Sequence, residues 1–323
     1  MEKCLAADLG GTKILIAEVL SDGTVVNVLR VPSYDAPKRE RIMQVVRAVR
    51  TYEETYGYRD GARPECIGIG VNDVADPFRR VFTGHDPEDP VLSAAPVIRD
   101  ELGLDCRIDN DVKCTVLAET LYGAAKGMRD VVYLNIGTGL AAGIISNGRV
   151  VRGTDGFAGE VGFMDFMDGN GPHVELQASG MGIRYQAELL KEQYSDSMLF
   201  AGTDGKTGAS GEPGASALTG EALFQAARCG DPLAERVRGR LIKSAALLIS
   251  NLTCVLSPEI VVLGGGLVSD PAVLQEIREN VSPKALSHLE RGIVLTGLDP
   301  GLAGLYGAAA IGLGYGDEDG RII

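Results

Sequence analysis

The chain has 323 residues, 45% of them apolar, and a formal net charge of −13. That length can bury one large core or two modest ones, and the acidic balance argues against a polyanion such as nucleic acid as the main partner. A small anionic ligand stays open, because backbone N–H groups bind phosphate locally whatever the surface charge.

The opening MEKCLAADLGG is too short an apolar run for a signal peptide, and no later stretch reads as long and apolar enough to span a bilayer. Six cysteines, at positions 4, 66, 106, 114, 229 and 254, form no C-x-x-C pair. Their scatter reads as buried free thiols in a reducing cytoplasm rather than a disulfide or zinc framework. The expectation is a soluble cytoplasmic protein with no membrane and no nucleic-acid partner.

In chain order, residues 4–7 predict a buried strand, Asp8-Leu9-Gly10-Gly11-Thr12 a turn, and 14–20 a second strand. Ser21-Asp22-Gly23 reads as a hairpin turn into a third strand at 24–31. Ile42, Val45, Val46, Val49 and Tyr52 recur at helical spacing within 39–56. Strands follow at 66–71 and 106–109, with a helix around 97–102 before the second. Residues 111–125 read as a helix.

At Val131 the opening pattern returns. A strand at 131–134 leads into Asn135-Ile136-Gly137-Thr138-Gly139, then a strand at 141–145, a turn at Asn147-Gly148 and a third strand from Arg149. Laid on the first copy, Asn135 falls on Asp8, Gly137 on Gly10 and Gly148 on Gly23. The echo predicts two related halves, each opened by a glycine hairpin. Beyond it, residues 202–217 are rich in Gly, Ser, Thr and Ala and read as a flexible surface loop. Asp231-Pro232 starts a long helix with an apolar stripe from Val237 to Val255, ending before Pro258. A strand at 260–263 runs into Gly264-Gly265-Gly266, and a helix begins near Asp270-Pro271. No basic helix-turn-helix precedes the first strand, so no DNA-binding domain is expected there.

Paired glycine turns suit a nucleoside triphosphate, since glycine lets backbone N–H groups approach phosphate oxygens closely. Asp8, ending the first strand, is placed to hold Mg²⁺ through water. The Gly264–Gly266 run can let an adenosine lie flat on backbone, or be an ordinary strand-to-helix turn. No G-x-x-x-x-G-K-[ST] pattern occurs, which excludes a P-loop.

Six motifs in order resemble the ROK sugar-kinase family: D-L-G-G-T-K from Asp8 to Lys13, I-D-N-D ending at Asp111, and G-T-G from Gly137 to Gly139. They continue with A-G-E-V-G around Glu160, V-E-L-Q-A-S-G around Glu175, and V-L-G-G-G ending at Gly266. The resemblance runs from about residue 4 to 314 and includes G-x-x-G-A-A-A from Gly304. It implies an α/β fold of two actin-like ATPase domains (ribonuclease H-like), each a duplicated β-hairpin with helices, joined by a hinge. One lobe would be 1–128, with the helix near 304–318 as a candidate addition, and the other 129–303. It also implies phosphoryl transfer from ATP, with Mg²⁺, to a hexose, amino sugar or related polyol, in a homodimer or homotetramer.

By that resemblance Asp111 is the catalytic base, while Asn110, Asp111, Glu160 and Glu175 bind substrate. Asp8, Gly10, Gly11, Thr12, Lys13, Gly137, Thr138, Gly139, Gly264, Gly265 and Gly266 serve the nucleotide. The chemistry is coherent: carboxylates and an amide grip hydroxyls, and one carboxylate must take the attacking hydroxyl's proton. Asp111 also reads as a helix N-cap, a role Asn110 could equally fill.

The chain departs from the family pattern on the substrate side. Phe163 stands where the family has a histidine, and the stretch from Asp165 to His173 holds no cysteine, so no structural zinc is expected. Gly70-Val71-Asn72-Asp73 replaces a G-x-P-G turn, and an expected asparagine is absent near His85. His85 and His173 are candidate replacements in the pocket. A non-catalytic sugar sensor without a DNA-binding domain is the alternative.

Overall fold

The computed structural model describes residues 2–76, 81–82, 89–165, 172–200 and 218–316. The expectations for residues 202–217, for His85 with its neighbours, and for most of the 165–173 stretch lie outside the described residues.

The chain opens with β1 (Lys3–Leu9), β2 (Lys13–Leu20), β3 (Val25–Pro32) and α1 (Lys38–Tyr56). Next come β4 (Cys66–Val71), the short β5 (Ala75–Asp76), β6 (Val81–Phe82) and β7 (Leu92–Ser93), then α2 (Ala94–Leu102), β8 (Asp105–Asn110) and α3 (Asp111–Leu121). The echo gives β9 (Val131–Ile136), β10 (Leu140–Ser146) and β11 (Arg149–Val150). The remainder is a 3-10 turn at Val161–Phe163, α4 (Glu175–Ala178), α5 (Gly180–Leu189), a 3-10 turn at Met198–Phe200, α6 (Gly220–Arg228) and α7 (Pro232–Leu256). The chain then runs through β12 (Ile260–Gly264), α8 (Pro271–Asn280), α9 (Pro283–Leu286), β13 (Ile293–Leu295) and α10 (Ala303–Gly312).

Two five-stranded sheets have the same plan, β3-β2-β1-β4-β8 and β11-β10-β9-β12-β13, beside a small sheet β5-β6-β7. In the first, β1 and β2 are antiparallel, as are β2 and β3, while β1, β4 and β8 run parallel. Gly23 and Gly148, matched by the echo, both take positive φ (86° and 74°) at their turns. Contacts sort the chain into one unit of Met1–Tyr133, Gly143–Gly159 and Thr296–Ile323, and another of Leu134–Ala142 and Glu160–Leu295.

Within the first unit the sheet is covered on both faces, because strand alternation divides its apolar residues. Leu5, Ala7, Leu9, Ile67 and Ile69 pack with Ile42, Val45, Val49 and Tyr52 of α1. Cys4, Ala6, Leu15 and Ala17 face Leu305, Ala308 and Ala309 of α10. The helix lies directly on β4: a Cβ on Gly68 would meet the Ala308 carbonyl at 1.8 Å.

The helix expected over 111–125 stops at Leu121. Gly123 passes so close to Glu119 that a Cβ there would stand 2.1 Å from its Oε2, and this buried carboxylate accepts the Ala124 N–H at 2.7 Å. It also accepts the Gly297 N–H at 3.3 Å and the Thr296 hydroxyl, tying the end of α3 to the segment entering α10.

Two expectations need correction. The helix α7 is long and apolar enough to cross a membrane by length and hydropathy. Its stripe from Leu233 to Leu252 is nevertheless buried, and it packs against α4, α5, α6, α8 and α9, as the central helix of a large core does. The cysteines, secondly, are not all buried: Cys66 is half-buried, and Cys229 and Cys254 are exposed.

Candidate active site

In the first unit the candidate residues Asp8, Asn110 and Asp111 lie at the carboxyl ends of β1 and β8, on either side of β4, where parallel α/β sheets hold ligands. The turn from β1 to β2 is closed by the Gly10 N–H donating to the Lys13 carbonyl at 3.0 Å. Ser33 steadies it, its hydroxyl donating to the Gly10 carbonyl at 2.8 Å and its N–H to the Thr12 carbonyl at 3.1 Å. Gly11 and Thr12 are left exposed at the tip.

Asp8 precedes that turn. Burial pushes its carboxyl above the usual carboxylate range, while the Lys13 charge works the other way. No hydrogen bond or ion pair reaches it among the described residues. Gly304 of α10 makes its room, since a Cβ there would stand 2.4 Å from the carboxyl carbon. A partly buried carboxylate without a donor fits a cation held through water, and Mg²⁺ chemistry suits one carboxylate plus phosphate.

The parallel register sets Asp8 beside Gly70 and Gly70 beside Asp109. Gly70 leaves space for the start of α3: a Cβ there would lie 3.7 Å from the Asp111 Cα. Of the two possible caps, the structure uses Asn110. Its Oδ1 accepts the N–H groups of Val112 and Lys113, both at 3.1 Å, and its Nδ2 donates to the Asp73 carbonyl at 3.2 Å. The amide oxygen is thereby committed, leaving one N–H for a ligand. Asp111 is the first helical residue and, unlike Val112 to Thr120 behind it, is not buried. Its Oδ1 accepts the Val112 N–H at 2.8 Å, at the positive end of the helix dipole.

Behind them, Asp109 is held in a buried ion pair by Arg152, whose Nε and Nη2 reach Oδ2 at 2.9 and 2.7 Å. On the other side Arg41 donates to Asn72 Oδ1 and lies 3.6 Å from Asp73. Sequence reasoning missed Arg152, Arg41 and the structural use of Asp109. Only the unusual Asn72-Asp73 pair pointed to this corner; the ion-pair partners are remote in sequence and carry no local signal.

The second unit builds the other turn. The Gly137 N–H donates to the Gly139 carbonyl at 3.0 Å, closing a turn one residue tighter than the first. The carbonyls of Gly137 and Thr138 accept the first N–H groups of α5, from Gly180 at 2.8 Å and Met181 at 3.0 Å. Ser179 caps that helix, accepting the Gly182 N–H at 3.2 Å and donating to the Glu175 carbonyl at 2.7 Å. Glu175 itself holds the turn's exit: its Oε2 accepts the Leu140 N–H at 2.9 Å. Gly265, at φ 93°, presses on the same place, where a Cβ would meet the Ile136 carbonyl at 2.4 Å. Gly264 is buried at the end of β12, whereas Gly266 opens onto free space.

Glu160 precedes the 3-10 turn and is half-buried. Gly162 in that turn fits between the Leu140 carbonyl and Glu175, with a Cβ 2.6 Å from the first. Phe163 is 50% exposed, its ring edge-on to His173 at 6.2 Å between centroids. The His173 Nδ1 lies 3.1 Å from Asp165 Oδ1.

The ROK family profile matches residues 4–314. The chain belongs to the ROK family. Among curated ROK relatives, the glucokinase of Thermotoga maritima is 26% identical over 326 residues, covering 96% of each chain. The N-acetyl-D-glucosamine kinase of Pasteurella multocida is 26% identical over 94% of this chain and 97% of its own. Among solved structures, a ROK family glucokinase from Streptomyces griseus in complex with glucose and AMPPNP superposes with a TM-score of 0.75, at 24% identity, over 96% of this chain and 99% of its own. The two-sheet architecture is thus the actin-like ATPase fold of ROK proteins.

Proposed function

We propose that this ROK protein transfers the terminal phosphoryl group of ATP to a hydroxyl of a hexose, amino sugar or related polyol, with Asp111 as general base. One observation carries the reading: at the mouth of α3, where Asn110 caps the helix and Arg152 pairs with Asp109, the carboxylate of the first helical residue, Asp111, is not buried. In this reading Asp111 takes the proton as the hydroxyl attacks phosphorus. The N–H groups around Gly11–Thr12 and Thr138–Gly139 are directed to phosphate oxygens. Asp8 would hold Mg²⁺ through water, which supplies positive charge against the transferring phosphoryl. Glu160 and the remaining N–H of Asn110 are the candidate ligands of acceptor hydroxyls.

The test is ADP release over a panel of hexoses, N-acetylhexosamines and polyols, with folding checked by circular dichroism. Asp111→Asn should lose at least about 100-fold in kcat for the acceptor that works. Unchanged turnover in that variant would remove Asp111 from the chemistry. A sensor would bind sugar with no ADP release at all.

A further inference from the structure

Cys4 on β1 and Cys66 at the start of β4 sit one position before Leu5 and Ile67, which are partners in the parallel register. Side chains at one level of neighbouring parallel strands share a face. Here that face belongs to α10: Cys4 lies in the cluster with Leu305, Ala308 and Ala309, and Cys66 packs against it. The Cys4 thiol donates to the Ala309 carbonyl of α10 at 3.6 Å.

Their surroundings differ. Cys4 is fully buried, whereas Cys66 is half-buried and lines a cavity of about 420 Å³ whose wall includes Lys3, Arg63 and Arg107. The neighbouring Cys4 thiol and the Arg107 charge hold the Cys66 thiol below its usual range, against burial, Asp105 and Glu65. The Cys66 thiol beside it, with burial, pushes Cys4 up. One thiol is therefore reachable from the cavity, and the other lies buried behind it.

We propose that Cys4 and Cys66 are an oxidisable thiol pair, closed to a disulfide by a small peroxide that enters this cavity, with Cys66 reacting first. The Cys66 thiolate attacks one peroxide oxygen and the O–O bond breaks. Cys66 becomes a sulfenic acid, and the leaving hydroxide takes up the thiol's former proton as water. The Cys4 sulfur then attacks the Cys66 sulfur. The sulfenic hydroxyl departs with the Cys4 proton as a second water. Two thiols lose two electrons in all, and the peroxide is reduced to two waters.

The strand geometry permits the bond: neighbouring strands stand about 4.8 Å apart, inside the roughly 4.4–6.8 Å Cα range of disulfides. A relaxed bridge draws its Cβ atoms to about 3.8 Å, so the strands must close slightly. Such a bridge is of the easily reduced kind.

The test uses the full chain carrying Cys229→Ser and Cys254→Ser, which removes the exposed bystander thiols. After hydrogen peroxide, free thiols are alkylated and the digest is read by mass spectrometry. The expected product is a peptide pair joined through Cys4 and Cys66, lighter by two hydrogens and split by dithiothreitol. Cys66→Ser should abolish it, and Cys4→Ala should leave Cys66 as a sulfenic acid trapped by dimedone. The proposal fails if both thiols stay reduced under excess peroxide, or if the Cys4→Ala chain yields no sulfenic acid. None of these readouts depends on kinase activity, so the thiol pair and the phosphoryl-transfer reading fail separately.

Discussion

The two glycine turns are each closed by a bond from the matching glycine N–H, three residues across in the first and two in the second, and have opposite surroundings. At the first, Ser33 holds the carbonyls, and Asp8 has no donor among the described residues, in a space that Gly304 keeps clear. At the second, the position matching Asp8 is Asn135, and the polar groups nearby support the turn: Glu175 holds Leu140, and Gly180 and Met181 hold its carbonyls. Duplication supplied one structural device twice. One copy carries an unsatisfied charge that costs stability and suits a cation, and the other is a braced scaffold.

The comparison breaks most clearly at Asp8. In Asp8→Asn, ADP formation should fall on the order of 100-fold or more, as when a charge-stabilising group is removed, while the ligand-free protein becomes more stable. The raised Asp8 pKa means the folded chain holds this proton more tightly than the unfolded chain, so ionisation costs the fold once pH passes the ordinary carboxylate range. The gain in Tm should be present at pH 7 and vanish at pH 3, where Asp8 is neutral in both states. A lower Tm at pH 7 would show that Asp8 is structural.

Among the scaffold residues, Gly265→Ala should destabilise by about 3 kcal/mol, from a positive φ and a Cβ driven into the Ile136 carbonyl. Gly266→Ala, facing open space, should stay within about 0.5 kcal/mol in urea unfolding. Glu175→Gln weakens a charge-assisted bond and should cost about 1–2 kcal/mol, lowering stability and turnover together, unlike Asp8→Asn. The smallest effect belongs to Phe163→His, expected to change acceptor KM by about tenfold or less with kcat nearly unchanged.

Local sequence determined the element order, the two hairpins and their echo, because hydrophobic period, turn glycines and capping residues act within a few positions. The strand end before the first glycine turn also singled out Asp8, and the resemblance to the ROK motifs singled out Asn110, Asp111, Glu160 and Glu175. Which jobs those side chains do was decided only by tertiary structure. Asn110 rather than Asp111 caps α3, Glu175 braces a turn, and Arg152 neutralises Asp109 from 43 positions away. The pairing of Cys4 with Cys66 is likewise a product of strand register across α1. A side chain's duty depends on the donors and charges that folding brings to it, and those partners lie far beyond the reach of any local pattern.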